Sequence, residues 1–211
     1  MDNEAFQIST PLFRAITGGD TEKVRQLLLN GADPNECDGL DDETALLIAA
    51  VEGRTEIVRL LLEAGANPEQ YDIHGYSALM AAVCADSLPI VRLLLAAGAN
   101  VHARCSRSGA EALHDAAAGC HTAITRELLQ AGADANGGET KEGLTALMCA
   151  VLALCPDIVE MLLEHGAKAD TRSSKGFTAI ELLTHKETEL WQPMYLTRAA
   201  KIRTLLEQAP R

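Results

Sequence analysis

The chain has 211 residues, of which 47% are hydrophobic but only 3% are aromatic, and its formal net charge is −12. No apolar stretch of about 18 residues occurs, which excludes a typical membrane-spanning helix. The acidic balance, without a basic stripe and interleaved aromatic residues, is the opposite of what a nucleic-acid-binding surface requires. We therefore expect neither a membrane nor a nucleic acid as a partner.

The charge is unevenly distributed along the chain. Residues 1–70 contain 14 acidic and 5 basic residues, residues 71–140 contain 7 and 4, and residues 141–211 contain 9 and 9. An acidic N-terminal third raises the rate of encounter with a basic partner, so we predict a protein partner with a basic or neutral surface. The alternative is that the acidic residues only keep the protein soluble.

The N-terminal residues and the cysteines indicate the compartment. The segment Met1-Asp2-Asn3-Glu4 is acidic and no apolar run follows it, so we expect no secretory signal and a cytoplasmic location. The cysteines show no paired spacing, and a repeat scaffold needs no cross-links. We expect all six to be reduced thiols: Cys37, Cys84, Cys105, Cys120, Cys149 and Cys155.

A Gly-Ala dipeptide recurs along the chain after gaps of 34, 33, 34 and 34 residues. A second marker of the type Thr-Ala-Leu precedes each of these glycines by 21 residues, whereas the distance from a glycine to the next marker is 12 or 13 residues. A constant length indicates a packed unit and a variable length indicates a surface loop, so the chain is an array of one repeated unit. The glycines are Gly31, Gly65, Gly98, Gly132 and Gly166.

The second unit illustrates the secondary structure that the spacing predicts. Its apolar residues follow helical spacing in two short blocks, 46–50 and 57–62, which indicates a helical hairpin. Thr44 is suited to cap the first helix, and Gly65 is suited to end the second helix in the left-handed conformation. Because a lone hairpin cannot bury its apolar face, the units must stack on one another.

The combination of Thr-Ala/Pro-Leu, Ala-Ala, Leu-Leu and Gly-Ala-Asp/Asn in successive units strongly resembles the ankyrin repeat family. The resemblance implies an all-α fold, an ankyrin-repeat solenoid of stacked helical hairpins with protruding finger loops, although only His114 matches the signature histidine. We expect a single domain over residues 1–211, in which the last repeat is altered as a C-terminal cap. The repeats are approximately 6–35, 36–69, 70–102, 103–136, 137–170 and 171–211.

The last repeat contains an insertion. Its second-helix marker appears 10 residues later than in the second repeat, and the inserted segment, about Glu187 to Leu196, holds Trp191, the only tryptophan of the chain. A terminal repeat must cover an apolar face, so we favour an indole that seals the end of the stack. The alternative is that Trp191 anchors a partner.

Histidines and cysteines are densest in the fourth repeat. A zinc site needs convergent ligands, but the repeat pattern places His102 and Cys105 in the finger, His114 at the start of the first helix, and Cys120-His121 at the opposite end of the hairpin. No third group orients a Cys–His pair, and no glycine-rich phosphate motif is present. We predict a non-catalytic interaction module without metal or cofactor. The alternative is a metal-binding or enzymatic protein that uses this cluster.

The family resemblance also implies where a partner binds, because the variable fingers and the exposed side of each first helix form a concave surface. Hot spots favour Tyr, Trp and Arg, so we predict Tyr76 and Arg107 as the main anchors, with Tyr71 and Arg104 next. For Tyr76 the alternative is packing on the next finger. The remaining predicted contact residues are Leu40, Asp41, Glu43, Glu52, Ile73, His74, Lys141, Glu142, Leu144 and Leu152.

Two of these residues, Leu144 and Leu152, are apolar at positions that the family exposes to solvent. The first helix of the fifth repeat, 147–154, is apolar nearly all round. Either a partner or the terminal segment of the same chain must cover it. We expect the isolated protein to be a monomer.

The cap hypothesis for Trp191 makes a testable prediction. If the indole seals the stack, Trp191→Ala lowers the free energy of unfolding by about 3 kcal/mol, through lost transfer energy and a cavity, and unfolding begins in the C-terminal repeats. The measurement is tryptophan fluorescence of the isolated protein combined with denaturant unfolding. A red-shifted and readily quenched emission would contradict the cap and favour the partner anchor.

Overall fold

The computed structural model describes residues 10–37, 42–188 and 192–209, and within them the chain forms twelve α-helices and no β-strand. Two isolated bridges pair Cys37 with Thr44 and Tyr71 with Ser77. The predicted all-α class is confirmed. The helices are α1 (Pro11–Thr17), α2 (Thr21–Leu29), α3 (Ala45–Val51), α4 (Thr55–Glu63), α5 (Ala78–Cys84), α6 (Leu88–Ala96), α7 (Ala112–Ala118), α8 (Thr122–Gln130), α9 (Ala146–Leu152), α10 (Pro156–Glu164), α11 (Ala179–Glu187) and α12 (Pro193–Gln208).

Local sequence signals begin and end the helices as predicted. Thr44 Oγ1 accepts a hydrogen bond from the Leu47 N–H at 3.0 Å and so caps α3. In the fourth repeat Glu111 takes this position, and its N–H donates to His114 Nδ1 at 3.2 Å. The second helix α4 ends before Gly65, whose φ of 91° is the left-handed conformation that glycine adopts at little cost.

The chain divides into two compact units, Met1–Asn100 and Val101–Arg211, each built from three helical hairpins. In the first unit α1, α3 and α5 pack in succession as one layer, and α2, α4 and α6 pack in succession as a second layer. In the second unit α7, α9 and α11 form one layer, and α8, α10 and α12 form the other. Each unit is therefore a stack of hairpins with a two-layer core.

Small residues allow neighbouring first helices to approach closely. Ala49 and Ala50 in α3, and Ala116 and Ala117 in α7, are completely buried. Because interiors are packed at the density of organic crystals, a larger side chain at these positions would push the helices apart. Each hairpin thus buries apolar surface that only its neighbours can cover.

Two asparagine side chains connect consecutive repeats through backbone hydrogen bonds. Asn35 Oδ1 accepts from the Asn67 N–H at 2.7 Å, and Asn35 Nδ2 donates at 3.3 Å to the carbonyl of the glycine that ends the next second helix. In the second unit Asn136 makes the equivalent bonds, both at 2.8 Å, and the donor N–H belongs to Lys168. These bonds satisfy backbone groups at helix ends and fix the register between repeats.

The last repeat is longer than the others, in agreement with the predicted insertion. Helix α11 has nine residues where the other first helices have seven, and α12 has 16 where the other second helices have nine. Part of the insertion therefore forms the first turns of α12, which begins at Pro193. Trp191 lies outside the described residues, so the choice between cap and anchor stays a hypothesis.

Gly143 lies where the finger of the fifth repeat meets the finger of the sixth. The Ser174 N–H donates to Glu142 O at 3.0 Å, which draws the two backbones together. Gly143 has a φ of 69°, and a Cβ added to it would lie 2.4 Å from Ser174 N. Only glycine allows both this conformation and this approach.

The close approach at Gly143 predicts a specific loss of stability. Gly143→Ala combines left-handed strain with a clash against backbone, so we expect it to lower the free energy of unfolding by about 2–3 kcal/mol. The matched control is Gly166→Ala, where φ is 82° but no atom lies within 4 Å of the added Cβ. The control should lose only about 1 kcal/mol. Equal losses in urea unfolding would contradict the role assigned to the finger contact.

Candidate protein-binding surfaces

In the first unit, the finger that precedes α5 is held in shape by its own hydrogen bonds. Asp72 Oδ1 accepts the N–H groups of His74 at 2.8 Å and of Tyr76 at 2.7 Å. The Asp72 N–H donates to Tyr76 O at 3.1 Å, and the Gly75 N–H donates to Asp72 O at 2.9 Å. A loop fixed in this way loses little conformational entropy when a partner binds it.

Apolar and aromatic residues are exposed at this finger and at the end of α3. Ile73 is 54% exposed, Tyr71 is 37% exposed, and Val51 is 52% exposed. Tyr76 is half-buried, and its hydroxyl group donates to Cys84 Sγ at 3.0 Å, at the end of α5. Tyr76 therefore packs on its own first helix, whereas Ile73 is the more accessible residue of the finger.

The other contact residues predicted in the first unit differ in their exposure to solvent. Glu43 and His74 are half-buried, and Glu52 is exposed. Glu52 forms an ion pair with Arg54 at 3.8 Å, which contributes little to stability because both groups are hydrated. Leu40 and Asp41 lie outside the described residues.

In the second unit, Arg104 and Arg107 have different surroundings although both were predicted as anchors. Arg104 Nε donates to Gly109 O at 3.0 Å, and Arg104 Nη2 donates to Glu139 O. The Arg104 guanidinium thus joins the finger of the fourth repeat to the finger of the fifth. Arg107 is also exposed on the finger of the fourth repeat.

The predicted residues of the fifth repeat fall into two groups. Lys141 and Glu142 are exposed on the finger, whereas Leu144 and Leu152 are half-buried. Helix α9 packs against α7, α10 and α11, and Leu147 is only 1% exposed. The apolar helix is therefore largely covered by the chain itself, including the first helix of the last repeat, which is the second of the two alternatives that its sequence left open.

Asp115 in α7 is a candidate site residue that the sequence analysis missed. It is half-buried, and its carboxylate has no hydrogen bond or ion pair within the part of the chain that the structure describes. Burial raises the pKa of this carboxyl to about 6. A partly desolvated charge without a partner lowers stability, which is typical of a functional position. Aligning the repeats would have indicated it, because the equivalent position holds Ile48, Ala81, Cys149 and Leu182 in four repeats and a charged residue, the exposed Arg14, only in the first.

The thiol that interacts electrostatically with Asp115 is not an activated nucleophile. Burial, together with the charges of Asp115 and Glu142, raises the pKa of Cys149 to about 12. A thiol that stays protonated at neutral pH attacks poorly, since the thiolate is the reactive form. This part of the first-helix layer therefore offers a carboxylate for recognition and no reactive sulfur.

The histidine and cysteine cluster of the fourth repeat does not converge. Cys105 and His114 are buried, His102 is exposed, and Cys120 and His121 follow α7 at the other end of the hairpin. Among the described residues no three His, Cys, Asp or Glu side chains are arranged to hold a metal ion. His114 instead accepts a backbone N–H at the start of α7, and burial lowers the pKa of its imidazole.

The expectation of six reduced thiols is wrong for one pair. Cys120 and Cys155 form a disulfide, with 5.7 Å between their Cα atoms and a sequence separation of 35. Cys120 lies in the turn between α7 and α8, and Cys155 is the N-cap of α10. Stacking brings a turn residue of one repeat beside the N-cap residue of the next, and short spacing motifs do not reveal such a contact. The other four cysteines are thiols.

Comparisons with known proteins agree with this architecture. A family model for ankyrin repeats (3 copies) matches residues 12–105 and 101–173. The crystal structure of the human ASB11 ankyrin repeat domain is similar, with 24% sequence identity and a TM-score of 0.77, over 96% of this chain and 84% of that chain. The crystal structure of the ankyrin repeat domain of Bcl-3, described as a unique member of the IkappaB protein family, has 25% identity and a TM-score of 0.77, over 94% of this chain and 82% of that chain. Comparison with curated protein sequences gives no match.

Stacked helical hairpins joined by hydrogen-bonded fingers define a repeat protein of the solenoid class. The chain belongs to the ankyrin repeat family, as its sequence predicted. Domains of this family are generally non-catalytic protein–protein interaction modules. None of the helices in the described ranges has both the length and the apolar character needed to cross a membrane.

The raised pKa of Asp115 predicts a pH-dependent stability. Folding raises this pKa from 3.8 to about 6, so the folded state binds more protons than the unfolded state between these values, and stability falls as the pH rises through this window. We expect Asp115→Asn to remove this loss and to increase the free energy of unfolding at pH 7 by about 1–2 kcal/mol. The gain is limited because the half-buried carboxylate of the wild type keeps part of its hydration.

Urea unfolding at pH 4, 5, 6 and 7 measures this effect. The matched control is Asp170→Asn, which makes the same change of charge at an exposed position. It should alter stability by less than about 0.5 kcal/mol at every pH. A similar response of the two variants would show that net charge, rather than the surroundings of Asp115, sets the pH dependence.

Proposed function

We propose that the protein is a non-catalytic scaffold that binds a protein partner through its fingers and the exposed side of its first helices, the concave surface that membership of the family leads us to expect. The observation that carries the proposal is Asp115. Its carboxylate is partly desolvated and lacks a counter-charge among the described residues. A lysine or arginine of a partner would supply that charge in a charge-assisted hydrogen bond.

The finger of the first unit supports the same function. Its tip exposes Ile73 on a backbone that Asp72 already holds in one conformation. An apolar residue on a preorganised loop gains burial energy without a large ordering cost, which is the combination that favours a binding hot spot. Tyr71 and Val51 extend the apolar area available within this unit.

The charge of the chain favours a basic partner. The net charge is −12, and most of the acid excess lies in residues 1–70. Long-range attraction of this kind raises association rates at low ionic strength and is screened by salt. If the acidic residues serve only solubility, the association rate should not depend on salt.

The proposal also includes the domain extent, oligomeric state, location and lack of catalysis of the module. We infer one domain over residues 1–211, a monomer located in the cytoplasm, with no cofactor, no enzymatic activity and no binding to nucleic acid. The proposed contact residues, besides Asp115, are Leu40, Asp41, Glu43, Glu52, Tyr71, Ile73, His74, Tyr76, Arg104, Arg107, Lys141, Glu142, Leu144 and Leu152.

The decisive experiment uses a variant that is expected to be more stable and yet to bind less tightly. The immobilised full chain captures its partner from an extract of the source cells, and the affinity of the purified partner is then measured. We expect Asp115→Asn to weaken binding about 10- to 100-fold, the value of one lost charge-assisted bond. Urea unfolding of the same variant, which we expect to show a gain in stability, separates this loss of affinity from a loss of folded protein. Asp170→Asn is the matched control and should bind as the wild type does.

A second arm tests the fingers and the helix layers. The Tyr76→Ala/Arg107→Ala double variant and Ile73→Ala should each weaken binding by more than tenfold if these residues are hot spots. Arg126→Ala, an exposed change on the second helix α8, should leave the affinity unaltered. The proposal would be overturned if all finger variants bound the partner with the affinity of the wild type, or if only Arg126→Ala weakened binding. Either result would mean that the partner contacts another surface.

A further inference from the structure

We propose that Cys120 and Cys155 are a reversible thiol–disulfide site that locks the fourth repeat to the fifth under oxidising conditions. Their Cα atoms are 5.7 Å apart, within the range of about 4.4–6.8 Å that a disulfide requires. The stacked backbone therefore already holds the two residues at bonding separation. Forming or breaking the bond needs no rearrangement of the repeats.

The repeat architecture itself creates this pair of positions. In the first unit the corresponding residues are Gly19, in the turn between α1 and α2, and Arg54, the N-cap of α4, which are also 35 residues apart. A Cβ added to Gly19 would lie 3.0 Å from Arg54 Cζ. A turn residue and the next N-cap residue thus meet in both units. In the second unit the sequence places a cysteine at each position.

The two sulfur atoms differ in accessibility. Cys120 is exposed and has a φ of 58°, so it stands at the left-handed corner of the turn. Cys155 is 6% exposed, and both cysteines line a cleft of about 210 Å³ together with Arg198. A small oxidant in solution therefore reaches Cys120 first, and Cys155 is placed to resolve the product.

The cleft places charged side chains and the start of a helix beside the two cysteines. Cys155 is the N-cap residue of the nine-residue helix α10, and its side chain makes no capping hydrogen bond. Arg198 contributes a cation to the same cleft. Asp157 also lines the cleft, but its carboxylate accepts a hydrogen bond from Lys201 Nζ at 3.0 Å, which offsets its charge.

The proposed oxidant is a small disulfide of the glutathione type. The Cys120 thiolate attacks one sulfur of oxidised glutathione, whose S–S bond breaks, and one glutathione leaves as the thiol. The Cys155 thiolate then attacks the Cys120 sulfur and displaces the second glutathione. The two cysteine thiols lose two electrons and two protons in total, and one oxidised glutathione becomes two reduced molecules. Excess reduced glutathione drives the same steps in reverse.

The bond acts on the stack at the end of the hairpin opposite to the fingers. Cys120 follows α7, whereas the finger of the same repeat precedes α7. In a stack stabilised by terms between neighbours, a cross-link at one interface suppresses separation of the two repeats it joins. The oxidised second unit is therefore the more stable and less easily opened form.

The experiment equilibrates the full chain in glutathione buffers from fully reduced to fully oxidised, quenches it with an alkylating reagent, and counts labels by intact mass spectrometry with peptide mapping. The wild type should carry six labels when reduced and four when oxidised, with the new bond mapped to Cys120 and Cys155. Oxidation should also raise the thermal midpoint by about 5–10 °C. Cys120→Ser and Cys155→Ser should lose both responses, and the matched control Cys37→Ser should keep them.

Four results would overturn the proposal. The first is an unchanged label count, and the second is a stable glutathione adduct on Cys120 in place of the internal bond. The third is a bond that excess reduced glutathione cannot open, since the site would then be a permanent cross-link. The fourth is a thermal midpoint that does not respond to oxidation in the wild type. Two independent serine variants are used so that a folding defect in one cannot imitate the result.

Discussion

The fold depends on one constraint, which is that each hairpin has an apolar face that only a neighbouring hairpin can cover. Ala49, Ala50, Ala116 and Ala117 are completely buried because first helices pack directly on one another. Any change of length between the helix cap and the closing glycine would shift these alanines out of register with the next repeat. The 21-residue interval from marker to glycine is constant for this reason, and the loops outside it are free to vary.

Because these loops can vary in length and sequence without disturbing the core, binding residues are tolerated there. The fingers compensate for their exposure with internal hydrogen bonds, as at Asp72, and with bonds between fingers, as at Arg104. Asp115 is different, because it is half-buried at a first-helix position where four of the other five repeats hold an apolar residue. Its carboxylate lowers the stability of the isolated protein, and a binding partner that neutralises it recovers that free energy. The Asp115 carboxylate thus lowers the stability of the free protein and favours binding of a partner.

Most of the fold could be predicted because its signals are local. The hydroxyl of Thr44, the left-handed Gly65 and the helical spacing between them act within one hairpin, so a single repeat contains the information. The site was less predictable because it depends on neighbouring repeats. Arg104 and Arg107 lie on one loop three residues apart, and no local signal shows that the Arg104 guanidinium reaches the Glu139 carbonyl of the next finger. The partner Cys155 of Cys120 was missed for the same reason.

The backbone around Cys120 gives a further reason to assign its side chain a role. Gly19 and Gly53 hold the corresponding turn position in the first two repeats, and Asp86, a residue type that tolerates the left-handed conformation, holds it in the third at a φ of 50°. Cys120 and Leu154 adopt the same conformation at φ values of 58° and 57°. A non-glycine residue there costs about 1 kcal/mol relative to glycine. Leu154 offsets this strain by burial, since it is 4% exposed. Cys120 is exposed and gains no such burial. The disulfide with Cys155 of the next repeat is the interaction that offsets its backbone strain.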